Sequence, residues 1–339
     1  MLRLPKTEIA SPKSAAEAVE MLRANPAAMV IAGGTDLLPN MKHELFEPET
    51  LVSLQGIEEL RGIRVLDDGT LSIGAMTTLA TVAASDVVRE RAPAVAQATG
   101  LVAGPQLRAM GTLGGNVMLD TRCQWYNQTY FWRQSLGFCL KKDGDVCHVV
   151  DKGKRCVAAA SNDSVPALMS LDASIILQGP DGRREVSLDD FWLPDGIYNK
   201  KLERTELLVE IRIPATARGH RGAYGKLRDR GSIDFPLLGV AVRLDVDETE
   251  TIQAAEAVFV ALVARPVRLK RLADILVGVR IGSDAWNDAV DEAGKLAYAQ
   301  CRPMANIPGD HEYRRDMAPV YMKRTLRAAA EQSGPVHHI

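Results

Sequence analysis

Apolar positions in the first 120 residues alternate between helical spacing and short continuous runs. Ser14 begins a helical pattern in which Ala18, Val19 and Leu22 recur on one face, and Asn25 ends it before a proline. The short runs are typical of strands that are buried on both faces, as in a parallel sheet. The alternation therefore predicts an α/β domain. The predicted elements are strands at 28–32, 51–54 and 70–73 and helices at 79–88 and 93–99.

The pattern changes after residue 178. A turn at residues 179–182 separates two strand-like runs, and later runs either alternate or stay apolar. These features predict a second domain with an antiparallel sheet and helices. The predicted domains are 1–178, 179–290 and, as a helical C-terminal extension, 291–339. The predicted strands lie at 207–213, 222–228, 237–244 and 257–263, and the predicted helices at 268–277, 286–299 and 318–330.

An irregular segment at about residues 120–160 interrupts the first domain. It is rich in aromatic residues, lysine and glycine, and it holds four of the five cysteines of the chain. In a reducing compartment such a cluster indicates metal or iron–sulfur ligands rather than disulfides. The remaining cysteine, Cys301, is expected to be a buried thiol. The clustered cysteines are Cys123, Cys139, Cys147 and Cys156.

Composition and charge narrow the class of protein. The chain has 339 residues, of which 46% are apolar and 25% charged, and its formal net charge is −2 at pH 7. These values are typical of a globular protein with two or three domains. The charge balance gives no reason to expect a nucleic acid or a membrane as partner. The first six residues lack the apolar region of a secretion signal, so we expect a cytoplasmic protein.

Two pairs of adjacent glycines are candidates for a binding site. One pair, at residues 33–34, directly follows the strand at 28–32, and the other, at residues 114–115, follows Thr112. Adjacent glycines let backbone N–H groups approach a bound anion such as a pyrophosphate. Neither pair belongs to a G-x-G-x-x-G or P-loop motif, and a single pair usually marks a tight turn. Two pairs in one α/β region favour a dinucleotide site without identifying the dinucleotide.

Four segments resemble the FAD-binding subunits of the xanthine dehydrogenase family of molybdenum hydroxylases, in the same order along the chain. The resemblance implies an α+β fold, with a two-part FAD-binding domain of the vanillyl-alcohol-oxidase (PCMH) type. A smaller C-terminal domain with an antiparallel sheet and helices follows it. The segments that carry the resemblance are residues 30–37, 112–116, 162–173 and 224–226.

The resemblance also implies which residues contact FAD. Residues 33–36 would lie against the pyrophosphate or ribityl part, residues 112–116 would form a second wall, and Asp163 and Lys226 would make polar contacts. Simpler explanations stay open, because Asp163 could cap a helix and Lys226 could be a solvated strand residue. The implied set is Val30, Ile31, Ala32, Gly33, Gly34, Thr35, Asp36, Leu37, Val102, Thr112, Gly114, Gly115, Asn116, Asp163, Leu208 and Lys226.

The spacing of the four clustered cysteines leaves the kind of site open. No C-x2-C pair is present, unlike in zinc ribbons and bacterial ferredoxins. Four thiolates suit either Zn²⁺ or a [4Fe–4S] cluster, and they could also remain free. Cys123 and Cys156 lie close in sequence to Asn116 and Asp163, so a metal centre would be within tens of ångströms of the flavin. This proximity favours an electron carrier.

The insertion itself resembles that of the 4-hydroxybenzoyl-CoA reductases, a branch of the same family, at residues 120–128 and 139–149. The resemblance implies that the four cysteines hold a [4Fe–4S] cluster. It implies a heterohexamer with subunits that carry a molybdenum cofactor and two [2Fe–2S] clusters, and ferredoxin as electron donor. The reaction would convert 4-hydroxybenzoyl-CoA to benzoyl-CoA, with no catalytic residue from this chain. The alternatives are another aromatic or heteroaromatic substrate, or a structural zinc module.

Overall fold

Three β-sheets organise the chain in the computed structural model, which describes residues 2–337. The strands are β1 (Glu8–Ala10), β2 (Ala28–Ile31), β3 (Thr50–Ser53), β4 (Ile63–Val65), β5 (Leu71–Gly74), β6 (Ser174–Gly179), β7 (Gly182–Ser187), β8 (Leu207–Ile213), β9 (His220–Leu227), β10 (Leu238–Val246), β11 (Ile252–Val260) and β12 (Val267–Arg268). The first sheet is parallel, with the order β1-β3-β2. The second, β4-β5-β8-β6-β7, and the third, β12-β11-β10-β9, pair antiparallel.

Thirteen helices fill the connections within the described residues. They are α1 (Ala15–Ala24), α2 (Leu37–Lys42), α3 (Leu79–Ala84), α4 (Asp86–Arg91), α5 (Pro93–Gly100), α6 (Pro105–Met110), α7 (Leu113–Val117), α8 (Tyr130–Ser135), α9 (Ser164–Ser170), α10 (Leu188–Phe191), α11 (Leu272–Leu276), α12 (Asp284–Gln300) and α13 (His311–Glu331). A 3₁₀ turn lies at Glu58–Leu60. None of the helices described is long and apolar enough to cross a membrane.

The second sheet is buried on both faces because its central strand β8 presents apolar side chains in both directions. Leu208 and Ile211 pack into a core shared with α5 and α9, whereas Leu207 and Val209 pack into a core shared with α1 and the first sheet. The pairing of β6 with β8 shifts register at Val209, which forms a β-bulge. Beyond the bulge, the side chains of β8 alternate in the opposite phase between the two faces of the sheet. The two parts of the predicted FAD-binding domain therefore meet at this sheet.

The second sheet extends past the domain boundary predicted at residue 178. Gly179 pairs with Gly182 at the end of the β6–β7 hairpin, so the predicted turn lies inside the sheet and not between domains. The strand predicted at 207–213 is observed with those bounds as β8. Turn residues between two apolar runs look the same in a hairpin as at a domain boundary, which is why the pattern placed the division there.

The third sheet forms the second domain and is covered by α13 and α11, on which α12 packs in turn. The last helix was predicted at 318–330, but α13 begins at His311, and Pro319 lies within it. The side chain of Asp310 caps this earlier start. The boundary predicted at residue 290 falls inside α12, which packs on α13 in the same hydrophobic core.

The C-terminal segment returns to the edge of the third sheet and pairs with β9. The Lys226 N–H donates to the Val336 carbonyl oxygen (2.7 Å), and the Val336 N–H donates to the Tyr224 carbonyl oxygen (3.0 Å). This pairing covers part of an edge strand. Residues 338 and 339, which belong to the predicted extension, lie outside the described residues.

Candidate functional site

Both glycine segments line one cleft of about 760 Å³, a size that is typical of cofactor pockets. The first segment follows β2 and the second begins α7, so the C-terminal end of β2 and the N-terminal end of α7 both border the cleft. All the residues predicted to contact FAD line this cleft except Ile31 and Lys226. The predicted residues that line it are Val30, Ala32, Gly33, Gly34, Thr35, Asp36, Leu37, Val102, Thr112, Gly114, Gly115, Asn116, Asp163 and Leu208.

Gly33 and Gly34 are required for the first segment to lie against the opposite wall. A Cβ atom on Gly33 would stand 2.0 Å from the carbonyl oxygen of Met110, so a side chain does not fit there. Gly34 has a φ of +70°, in the left-handed region that favours glycine. Ile31 lies under this turn, with its Cδ1 atom 3.2 Å from the position of a Cβ on Gly34. Ile31 therefore supports the segment and does not reach the cleft.

The second glycine segment is fixed to α9 by side-chain hydrogen bonds. The Thr112 hydroxyl accepts from the Gly115 N–H (3.0 Å). The Asn116 amide oxygen accepts from the backbone N–H (3.0 Å) and the hydroxyl (2.6 Å) of Ser164. The Asn162 amide donates to the Asn116 carbonyl oxygen (2.9 Å). Because these residues stand on either side of the insertion, the bonds join its two ends within the host domain.

Asp163 belongs to a buried charged group at the side of the cleft. Its Oδ1 accepts from the Tyr224 hydroxyl (2.7 Å), and its Oδ2 accepts from Lys226 Nζ (3.0 Å). Lys226 Nζ also donates to the Leu101 carbonyl oxygen (3.0 Å). Burial raises the pKa of Asp163 and lowers the pKa of Lys226, while the ion pair opposes both shifts.

The environment of Asp163 and Lys226 excludes the simpler explanation of each residue. The Asp163 carboxylate makes no capping bond to α9, and the Lys226 side chain is fully buried rather than solvated. Lys226 does not itself line the cleft, and its ammonium group is bonded to Asp163, which does. Lys226 therefore acts on the cleft through Asp163.

Part of the cleft wall comes from residues that the sequence patterns did not indicate. Asp120, Arg122 and Asn127 belong to the insertion, and Lys200 comes from the loop before β8. Lys200 Nζ donates to a carbonyl and an amide oxygen, and burial lowers the pKa of Lys200 to about 8. These residues lie in irregular loops, so no periodicity could reveal them.

The two ends of the insertion are held together at Arg122 and Ala159, which we call the neck. These two residues exchange two backbone hydrogen bonds, of 2.8 and 2.7 Å. Lys141 Nζ reaches back to the neck and donates to the Asp120 carboxylate (2.8 Å) and to the Gly196 carbonyl oxygen (3.0 Å). The side chain of Lys141 is only 6% exposed. These links fix the insertion next to the cleft.

Three of the four predicted cysteine ligands lie in one buried apolar cluster. Cys123, Cys139 and Cys156 are 8%, 8% and 7% exposed, and Cys147 is half-buried. Burial, with a smaller contribution from the three nearby sulfur atoms, raises the pKa of Cys123 to about 12. Cys301 is buried, as expected.

The four sulfur atoms do not surround a metal position. Within residues 2–337, no three cysteine, histidine, aspartate or glutamate side chains are arranged so that they could hold a metal ion. The four cysteines are all free thiols. The insertion therefore brings the four thiols near one another without closing them into a coordination site.

Aromatic side chains and a buried arginine hold the fold of the insertion. Trp125 lies between Trp132 and His148, with ring centroids 6.0 and 5.3 Å away. A nitrogen of His148 lies 2.6 Å from the Phe138 carbonyl oxygen, so this histidine is engaged within the insertion. Arg133 is 1% exposed and donates to two carbonyl oxygens at the end of α2. The insertion thus packs on the element that follows the first glycine segment.

A second, open groove of about 980 Å³ lies between α11, α12 and α13. It is lined by charged residues that include Asp288, Asp291 and Lys323. No residue of this groove belongs to the cleft that the glycine segments line. Because both glycine segments meet in that cleft, it is the better candidate for a cofactor site.

Two family models together match most of the chain. Residues 5–216 match the FAD binding domain in molybdopterin dehydrogenase, and residues 222–329 match the CO dehydrogenase flavoprotein C-terminal domain. The chain is 34% identical to the carbon monoxide dehydrogenase medium chain of Hydrogenophaga pseudoflava. The match extends over 330 residues, which are 96% of this chain and 97% of that one. It is 25% identical to the nicotinate dehydrogenase FAD-subunit of Eubacterium barkeri, over 88% of this chain and 89% of that one.

Solved structures extend the similarity to the fold. The chain aligns with carbon monoxide dehydrogenase from Hydrogenophaga pseudoflava at a TM-score of 0.79 and 31% identity, over 97% of this chain and 99% of that one. It aligns with quinoline 2-oxidoreductase from Pseudomonas putida 86 at a TM-score of 0.77 and 25% identity, over 98% and 99%. These matches confirm the predicted fold and FAD as cofactor. The chain belongs to the FAD-binding subunits of the molybdenum hydroxylase family, which includes xanthine dehydrogenase.

Proposed function

We propose that this subunit transfers electrons in a molybdenum hydroxylase-type complex and that its insertion adds a [4Fe–4S] cluster to the FAD. The observation that carries this proposal is the position of the insertion. Its residues Asp120 and Arg122 line the FAD cleft, and Cys123 follows them directly. A redox centre held by the insertion would therefore lie beside the flavin.

The four cysteines have the chemistry that such a cluster needs. Cysteine thiolates are the usual ligands of [4Fe–4S] clusters, which supply one-electron transfer. The apolar surroundings, which include Trp125 and Tyr126, limit access of water to the sulfur atoms and would tune the potential. Binding must remove the thiol protons and draw the sulfur atoms together, because no metal position exists among the residues described.

The reaction we favour is the reductive removal of the phenolic hydroxyl of 4-hydroxybenzoyl-CoA. Two electrons and two protons convert this substrate to benzoyl-CoA and water. We propose that a partner subunit with a molybdenum cofactor binds the substrate and that another with two [2Fe–2S] clusters connects it to FAD. The residues of this chain bind and orient the redox groups and take no part at the substrate.

A second candidate is the oxidation of a different small molecule, with electrons leaving through this subunit. The names of its relatives favour it, because they are dehydrogenases and oxidoreductases of carbon monoxide, nicotinate and quinoline. Activity of the whole complex with 4-hydroxybenzoyl-CoA and a low-potential donor distinguishes the two. A complex that reduces no 4-hydroxybenzoyl-CoA under those conditions would favour the second.

A basic surface of the insertion supports an acidic electron donor such as ferredoxin. Lys152, Lys154 and Arg155 are exposed, and none of them has an ion-pair partner among residues 2–337. They directly precede Cys156. Phe131, on α8 of the same insertion, is 80% exposed. An exposed aromatic side chain together with unpaired cations suits a transient interface with a small acidic protein.

Reversing the charge of this surface should slow reduction by ferredoxin. We expect Lys152→Glu/Lys154→Glu to lower the second-order rate constant about tenfold at low ionic strength, because complementary charges mainly accelerate encounter. Stopped-flow reduction of the complex by reduced ferredoxin measures this rate. The matched control is Arg3→Glu/Lys6→Glu, two exposed cations at the N-terminus, which should change the rate less than about twofold. Equal effects of both pairs would contradict docking at the insertion.

Loss of one thiol should remove the cluster and leave the flavin. We expect the anaerobically purified complex to contain about four more iron and four more sulfide per protomer than its Cys139→Ser variant, with FAD retained in both. Cys301→Ser is the control, because Cys301 is also buried but lies outside the insertion. Zinc in place of iron would identify the structural zinc module, and an unchanged iron content would show that the insertion is empty.

A further inference from the structure

Arg122 connects the first glycine segment, the insertion and the second domain. Its Nη1 atom lies 2.8 Å from Asp36 Oδ1, and its Cζ atom lies 3.8 Å from the centre of the Phe235 ring. Its backbone closes the neck with Ala159, and the next residue is Cys123. The Arg122 side chain is 19% exposed. The ion pair with Asp36 is thus largely shielded from water.

The carboxylate of Asp36 is bonded to the insertion directly through one oxygen and, through the other, by way of Asn40 on α2. Arg122 binds Oδ1 directly. Oδ2 accepts from the Asn40 amide (2.9 Å), and the Asn40 oxygen accepts in turn from the Asn127 amide (3.4 Å). The Asn127 oxygen accepts from the backbone N–H of Cys123 (3.0 Å). Both oxygens of Asp36 therefore depend on the insertion being folded.

A bare carboxylate at this position would oppose the binding of a pyrophosphate. Asp36 lines the cleft at the end of the first glycine segment, and like charges repel strongly where water is excluded. Asp120 adds a second negative charge nearby, and Lys141 a positive one that is already bonded to Asp120. Arg122 is the cation in direct contact with Asp36. Its charge offsets that of Asp36 and leaves the backbone N–H groups of the segment available to a phosphate.

We propose that Arg122 is a positioning residue of the FAD site and that, through its bond to Asp36, the folded insertion controls how tightly FAD is held. This inference deepens the proposed function and rests on the FAD pyrophosphate lying at residues 33–36. It does not depend on the identity of the metal. The insertion then has a role at the flavin in addition to electron transfer.

The affinity of the FAD-stripped complex for FAD tests this proposal. Titration by flavin fluorescence should give a dissociation constant for Arg122→Gln at least about tenfold higher than that of the unaltered complex. Arg122→Lys should recover part of the loss, because it restores the charge without the planar geometry. The matched control is Arg302→Gln, which alters an exposed arginine outside the insertion and the cleft that has no ion partner in the described range. It should change the constant less than about twofold.

A double-mutant cycle separates this role from a general loss of structure. In an Asp36→Asn background, Arg122→Gln should weaken FAD binding less than about threefold, because there is no carboxylate left to offset. The same tenfold loss in both backgrounds, or no loss in Arg122→Gln alone, would overturn the proposal. Iron and sulfide are assayed on the same samples. An iron-free complex that still shows the Arg122 effect would remove the [4Fe–4S] proposal and leave this one standing.

Discussion

Gly33→Ala is expected to abolish stable binding of FAD. The added methyl group would stand 2.0 Å from the carbonyl oxygen of Met110, which is a backbone atom and cannot rotate away. The first glycine segment must then move away from the second wall, and both walls of the cleft are needed to hold the cofactor. We expect the dissociation constant of FAD to rise at least about a hundredfold, which corresponds to roughly 3 kcal/mol. Fluorescence titration of the FAD-stripped complex measures it.

The control for this substitution is Gly56→Ala, in the same domain. A Cβ on Gly56 meets no atom closer than the Pro12 carbonyl oxygen at 3.7 Å, so the methyl group fits without movement. We expect FAD affinity within about twofold of the unaltered complex. If Gly33→Ala binds FAD as tightly as this control, the pyrophosphate does not lie between the two glycine segments.

Breaking the buried pair of Asp163 and Lys226 should have the largest effect on stability. Lys226→Met leaves the Asp163 carboxylate fully buried with only the Tyr224 hydroxyl as partner. Removal of one member of a buried pair typically costs about 3–5 kcal/mol, because the remaining charge is uncompensated. We expect a loss of this size in the free energy of unfolding, measured by urea denaturation monitored by circular dichroism. Lys295→Met, which breaks the exposed pair with Glu292, should cost less than about 1 kcal/mol.

Simultaneous removal of both charges should cost less than the two single substitutions together. Asp163→Leu/Lys226→Met leaves no buried charge, and such replacements are often close to neutral. A double variant whose loss equals the sum of the single losses would mean that the two residues stabilise the protein independently. That result would contradict the coupling shown by their hydrogen bond.

The sequence predicts the fold best where local pattern and burial agree. The strand at 207–213 was predicted with its observed bounds because its apolar residues fill two cores, and a strand with two buried faces has a nearly continuous apolar run. The start of α13 was missed because it depends on a single polar cap, Asp310, in front of a charged first turn. Apolar periodicity carries no information about such a turn.

The site was predicted only where a motif is contiguous. The glycine segments and Asp163 could be located by resemblance, and they line the cleft. Asp120, Arg122 and Lys200 approach it only after two irregular loops have folded against each other, and no local rule specifies that approach. The motifs also indicated both Lys226 and Asp163, but not that the two side chains bond to each other. Side-chain direction inside a core depends on the neighbours, which are distant in sequence.

The neck between Arg122 and Ala159 has an evolutionary consequence. Because the two residues are hydrogen-bonded to each other, everything between them can be exchanged for a short turn without moving the strands and helices of the host. The entropy of closing a surface loop rises by only about 0.6 kcal/mol for each doubling of its length, so adding or deleting such a segment changes the host's stability little. A redox module could therefore be gained or lost by an ancestral flavin subunit in one genetic step, together with the basic surface that it carries.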